Sequence, residues 1–407
     1  MKLLYLPIKI GYRAGFIGKA IYRKISAVCR LYLLMKYLPP TFATKNIVIK
    51  TSSEEKMNRL LFGMMLLAVG CLAGSCTDDD EYTQGVWMRR SDLDGVARGQ
   101  AGSFTIGNKG YLCCGYRGSN KTYLKDLWEY NMDGDYWTQC ADMPDAAAGR
   151  HSVASFALND RGYITTGIQK TEPTYLADTW EYNPATDSWT QMDDFGGGAR
   201  YGALAFSIGG YGYVGTGFND NYLKDFYRFN PNAAAGKQWE IVNGFGGYKR
   251  WYGTAFVIDD VAYVCCGQNN NTLVDDLWKF DGDNWAQLRD IANTNSDDDY
   301  DDDYAIARLG TVSFVIDGRG YIATGTRSGV TSDYWVYDPG EDLWYGDSDD
   351  DYTPLTSVHN VSSGGSSRAY AVSFSTGKRG FVLTGASGTS YFDDVYELLP
   401  YEQEDVD

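Results

Sequence analysis

The sequence predicts an all-β fold, a six-bladed β-propeller of four-stranded blades closed by an N-terminal outer strand. Three observations carry this. One template recurs six times with a period of 50 to 60 residues. Each copy holds four short strand-like pieces divided by turn formers. The last copy lacks its fourth piece, and a matching piece stands ahead of the first copy. Radial repetition of four-stranded units is the propeller plan.

Each copy opens with an arginine: Arg98, Arg150, Arg200, Arg250, Arg308 and Arg368. A phenylalanine follows six residues later in all of them: Phe104, Phe156, Phe206, Phe256, Phe314 and Phe374. In the second copy, "SVASFAL" reads as the first strand, and its small residues suit a crowded place near a central axis. "GYITTG" is the second strand and ends in Gly167, the counterpart of Gly115, Gly217, Gly267, Gly325 and Gly385. "DTWEYN" is the third strand, and alternation puts Trp180 and Tyr182 on one face. It opens on Asp178, matched by Asp126, Asp225, Asp276, Asp333 and Asp394. "DSWTQM" is the fourth, with Trp189 corresponding to Trp137, Trp239, Trp285 and Trp344. The sixth copy ends at "DDVYELLPYEQEDVD" without such a piece. Trp87 in "GVWMRRSD" is therefore expected to supply the outer strand of the last blade, so that no open edge remains between the chain ends.

The second-strand glycine, the Asp-x-aromatic third strand, the fourth-strand tryptophan and the arginine opening the next unit resemble kelch repeats, as in the galactose oxidase and kelch-like superfamily. The resemblance spans Trp87 to about Pro400. One departure is plain: kelch repeats usually end the second strand in a glycine pair, and here the ending is "CCG", "TTG", "GTG" or "ATG". Arginine at this position lines a peptide-binding pocket for acidic motifs in some kelch proteins. A six-bladed relative is a sialic acid mutarotase.

Residues 76–85 read as an acidic tether, 86–400 as the propeller and 401–407 as an acidic tail. Upstream, "LLFGMMLLAVGCLAG" is a run of apolar character too short for a membrane span and suited to a secretory signal. Met57 and Arg59 precede it, and Ala73, Gly74 and Ser75 lead into Cys76. Residues 57–75 thus resemble a bacterial lipoprotein signal, with Cys76 the lipidated residue. The following "TDDDE" resembles the export tag of surface lipoproteins in Bacteroidetes-type bacteria. The expected location is the outer membrane, facing the cell surface, with a periplasm-facing position as the alternative. Residues 1–56 carry eleven Lys or Arg and two Glu and match nothing later in the chain. They are expected to be an over-extended gene start, with an amphipathic basic membrane-surface segment as the rival reading.

From Cys76 onward 24 basic and 51 acidic residues remain, a net charge of about −27. Such a field repels phosphate backbones, so nucleic acid is excluded as a partner, and the lipid is the only expected membrane contact. Two histidines, His151 and His359, have no ligand spacing, so the copper site of galactose oxidase-type relatives is not expected. Cys113–Cys114 and Cys265–Cys266 fall in opposite blades, too far apart to bridge, and read with Cys140 as buried small hydrophobes. No cofactor or metal is expected. The insertions "NSDDDYDDDY" and "DSDDDYTP" read as solvated acidic loops rather than calcium sites.

If each first strand runs from face one to face two, the six arginines and the variable connections between second and third strands all lie on face one. Two roles compete for the arginines. They pair with the repeat aspartates and lock the blades, or they present guanidinium forks to a carboxylate ligand. Two residues beyond each arginine stand Gln100, Ser152, Gly202, Tyr252, Gly310 and Tyr370, an asymmetric wall with aromatic faces only in blades four and six. Arg250, beside Trp251 and Tyr252, is expected to matter most for a ligand, and Arg308 least. The functional expectation is a non-enzymatic surface module binding a protein or glycan at this face. An enzyme acting on acidic sugars and a scaffold in a glycan-uptake or adhesion complex are the alternatives.

Overall fold

A computed structural model describes residues 82–118, 121–169, 174–292, 306–345 and 366–405. Cys76 and all that precedes it, both acidic insertions and His359 lie outside the described residues. Contacts divide the chain into Met1–Asp80 and Glu81–Asp407, and the second of these units is the propeller.

Six antiparallel four-stranded sheets form a ring. Blade two is representative, with strands Ala154–Leu158, Arg161–Thr165, Thr179–Asn183 and Ser188–Gln191. Consecutive strands pair from the axis outward. Blade six takes its fourth strand from the N-terminal segment: Tyr82–Arg90 runs antiparallel to Val395–Asp405, with Trp87 opposite Leu398. This pairing reaches past the boundaries read from sequence, starting at Tyr82 and ending at Asp405, so part of the expected tether and tail is strand. Trp87 packs edge-on against Phe314 and Tyr334 of blade five, which buries the clasp.

The contact between blades explains the repeat. Each first-strand phenylalanine in blades one to five stacks on the second-strand tyrosine of its own blade, as Phe104 does on Tyr111 at 5.0 Å and 14°. Except for Phe206, for which the matching position in blade four is Ala262, its other side meets the next blade at a glycine: a Cβ on Gly162 would lie 2.1 Å from the Phe104 ring. Gly110, Gly212, Gly320 and Gly380 receive Phe374, Phe156, Phe256 and Phe314 in the same way. Burying each ring contributes about 1.5–3 kcal/mol.

Toward the axis the first strands present small residues. Ser103, Ser155, Ser207, Ser313 and Ser373 each donate a hydroxyl hydrogen bond to a backbone carbonyl of the preceding blade, at 2.7–3.0 Å. The channel hydroxyls therefore fasten neighbouring blades and surround a cavity of about 480 Å³.

Candidate functional site

The six repeat arginines are among the most buried side chains of the protein, at 0–1% exposure. Each guanidinium meets the aspartate that opens its own third strand. Arg98 reaches both Asp126 oxygens at 2.6 and 2.7 Å, and Arg308 reaches those of Asp333 at 2.8 and 2.7 Å. Arg150–Asp178, Arg200–Asp225, Arg250–Asp276 and Arg368–Asp394 repeat the pair. Each Nε also donates to the carbonyl two residues upstream, such as Val96 or Ala148. Burial is the largest single influence and disfavours the charged forms of Asp178 and Asp333, but hydrogen bonds and charge attraction from Arg150 and Arg308, with further hydrogen bonds from Trp180, Thr331 and Trp335, together outweigh it and hold both carboxyls below the usual range. Of the two roles weighed for the arginines, this geometry is that of pairing with the repeat aspartates, which occupy the forks, and the guanidiniums are turned away from solvent.

The same arginines account for the missing glycine pair. Each Nη1 donates to the carbonyl sixteen residues on: Cys114, Thr166, Thr216, Cys266, Thr324 or Thr384. All six of these residues are left-handed, with φ between 59° and 65°. That conformation favours glycine and is strained for β-branched threonine. The guanidinium holds it in place. The glycine that follows has φ between 91° and 109° in every blade, and its N–H donates to the arginine carbonyl of the next blade at 2.8–2.9 Å. Gly385 closes this outer ring onto Arg98 at 2.8 Å.

A second, inner ring lies at the channel mouth. Gln100, Ser152, Gly202, Tyr252, Gly310 and Tyr370 are all left-handed, with φ from 49° to 64°. Each N–H donates to the carbonyl of its counterpart in the preceding blade, from Ser152 to Gln100 at 2.7 Å round to Gln100 to Tyr370 at 2.9 Å. Across this ring lies Tyr252. Its hydroxyl is 2.6 Å from Ser152 Oγ and accepts from Gln100 Nε2 at 3.2 Å, so the side chain reaches from blade four to blades two and one. Tyr370 meets it edge-on at 5.0 Å. The glycine of blade five makes room: a Cβ on Gly310 would strike the Tyr370 ring at 2.7 Å. The two tyrosines expected as walls therefore lie across the mouth and narrow it, and the inner ring lines a cavity of about 130 Å³.

Face one is aromatic on one side. The residue after each repeat arginine points toward the face-one loops. It is His151, Tyr201 and Trp251 in blades two to four, but Leu309, Ala369 and Gly99 in blades five, six and one. Tyr201 stacks with Tyr175 at 5.4 Å and meets Trp251 edge-on at 5.4 Å. Phe218 and Tyr222, from the blade-three loop, pack on Trp251 at 5.4 and 5.9 Å. Trp251 continues to Tyr252 at 5.0 Å, completing a crescent of partly exposed rings. Of these, the sequence reading singled out Trp251 and Tyr252, along with Tyr370 at the mouth. It missed Tyr175, Tyr201, Phe218 and Tyr222; only Tyr201 carried a signal, the aromatic bias after the arginine in adjacent repeats.

His151 flanks the crescent between Tyr116 and Tyr123, its Nδ1 2.8 Å from Ser152 Oγ. Burial lowers its pKa to about 4, so it is neutral at ordinary pH. Among the described residues no group of His, Cys, Asp or Glu is arranged to hold a metal, and the five cysteines are free thiols. Cys113, Cys114, Cys265 and Cys266 are fully buried, while Cys140 is half-buried.

The ring of four-stranded blades defines a six-bladed β-propeller. The Kelch motif model matches residues 97–144. Mouse Kelch-like protein 23 is 29% identical over 26% of this chain and 18% of its own length. Kelch-like protein terF of Aspergillus terreus is 26% identical over 38% of this chain and 34% of its own. The chain thus spans about a third or less of the length of these relatives. The solved structure of YjhT superposes with a TM-score of 0.59 at 16% identity, over 75% of this chain and 95% of YjhT, a likeness of fold. Together these matches support a kelch-repeat protein.

Proposed function

We propose that the chain is a binding module: a lipid-anchored, surface-facing kelch propeller that holds a protein or glycan ligand on face one. The observation that carries this is the crescent of part-exposed rings on blades two to four, set on a scaffold fastened by two closed hydrogen-bond rings. Aromatic faces concentrated on one half of a rigid surface are how a scaffold presents a contact patch. The arginines support the patch from beneath. An acidic-sugar enzyme using the ring as a carboxylate clamp would need a free fork there, and each fork already holds an aspartate.

Two experiments test the reading. Glycan and peptide arrays probed with the purified propeller should give a ligand whose capture falls with Trp251→Ala. Capture indifferent to every crescent residue would place binding elsewhere. For the anchor, Cys76→Ala should move the protein from the membrane fraction to the soluble one. Continued pelleting of the variant at high salt would remove the lipid from the account.

A further inference from the structure

We infer that the ligand class of face one is a neutral glycan. The inference rests on the binding-module reading and goes further by naming what the crescent accepts. The central rings, Tyr175, Tyr201 and Trp251, form a strip whose ends are polar. At one end Tyr175 donates its hydroxyl to Asp220 Oδ1 at 2.8 Å. At the other, Trp251 Nε1 donates to Gln268 Oε1 at 3.3 Å, leaving the Gln268 amide nitrogen with two hydrogens to offer. The loop tips beside the strip carry more amides. Asn219 and Asn221 flank Asp220 in blade three, and Asn269, Asn270 and Asn271 follow Gln268 in blade four. The Asn269 Oδ1 acceptor is buried without a partner.

This pairing of surfaces decides between ligands. Aromatic faces carry negative quadrupoles and suit the C–H face of a sugar ring, and the edge-to-face packing of Phe218, Tyr222 and Trp251 holds the rings in place before binding. Neighbouring sugar hydroxyls both donate and accept, which matches amides and a carboxylate set around the rim. An apolar peptide side chain on the same strip would strand those groups without partners, at a cost for each one buried. Charge removes the acidic sugars. The fixed guanidiniums are occupied, Asp220 stands at the rim, and the chain from Cys76 carries about −27.

The test is depletion of the purified propeller from solution by insoluble starch, cellulose and galactomannan, with cross-linked polygalacturonate and a polylysine resin alongside, each at low and high salt. At least one neutral polysaccharide should deplete it, with little salt dependence. Trp251→Ala and, separately, Tyr222→Ala should each weaken capture about tenfold or more with the melting temperature held within a few degrees. Arg327→Ala, exposed on the opposite half of the face, should leave it unchanged. Depletion by none of the neutral polysaccharides overturns the inference. So does capture only by polygalacturonate, or only by polylysine with strong salt dependence, or neutral capture that survives both aromatic substitutions. A protein ligand captured by face one and lost with Trp251→Ala would keep the binding-module reading and sink the glycan class.

Discussion

Arg250 and Trp251 are neighbours in the chain and opposites in role. Arg250 is one of six interchangeable positions, buried and bonded to its own blade. Trp251 is one of six positions that all differ, partly exposed and in contact with loops. A residue that recurs in every repeat meets the same surroundings in every repeat, and in a propeller those surroundings are the junctions between blades. The ligand surface therefore belongs to the position where the repeats disagree. The sequence left two roles open for the recurring arginine, because its chemistry suits a carboxylate of either origin. The carboxylate it suits is the aspartate 25 to 28 residues downstream.

The comparison breaks most visibly by truncation. Arg250→Ala leaves Asp276, whose side chain is 3% exposed, charged and without its partner, and should cost about 3–5 kcal/mol in denaturant unfolding. Arg200→Ala should cost less, because Asp225 is 31% exposed and water can replace the guanidinium. Equal losses at the two sites would mean that burial of the aspartate does not set the effect. Trp251→Ala, by contrast, should lower stability by about 1 kcal/mol while removing most binding.

Acid should separate the two regions as well. The folded-state pKa values of Asp178 and Asp333 lie below their unfolded values. Their contribution is therefore present above the unfolded carboxylate value of about 3.9 and is lost as pH falls through the lower folded values. Melting temperatures followed downward from neutral pH should drop steeply only in that acid range, and Arg308→Ala should flatten the part due to Asp333. His151 acts earlier and more gently. Because its folded pKa is near 4, the unfolded chain takes up a proton first, and stability should decline as pH falls from about 6.5 toward 4. A His151 titration midpoint near 6.5 by NMR would contradict its burial.

The smallest effect tests the strained position beneath the arginine. Thr216 is left-handed at φ 62°, and its Oγ1 is buried with no partner. Thr216→Gly should be neutral or stabilising by up to about 1 kcal/mol, the reverse of glycine in an ordinary strand. A loss larger than that would show that methyl packing outweighs backbone strain there.

Strand content, blade number and the clasp through Trp87 could be read from the sequence because they follow from local alternation and repeat arithmetic. The two hydrogen-bond rings could not. They join residues more than 30 positions apart in neighbouring blades, and the left-handed conformations that aim their N–H groups appear at Gln, Ser, Thr, Cys and Tyr, residues that do not announce them. The narrowing of the mouth was hidden for a related reason. Tyr252 and Tyr370 look like walls until Tyr252 is seen to reach Ser152 and Gln100, and Gly310, in another blade, to leave Tyr370 its space. The crescent draws on repeat positions and loops of three blades, so no single stretch of chain displays it.

The clasp has a consequence in time. Five of the six junctions join blades adjacent in the chain, but the sixth joins the two ends of the propeller. Gly385 must find Arg98, Tyr370 must find Gln100, and Tyr82–Arg90 must find Val395–Asp405. Those contacts carry the largest loop-closure entropy and cannot form until the last blade exists, so folding should end with the sealing of this one seam. Until then the growing arc exposes a blade edge at each end, and it is in that interval that a second copy of the chain could be mistaken for the missing strand.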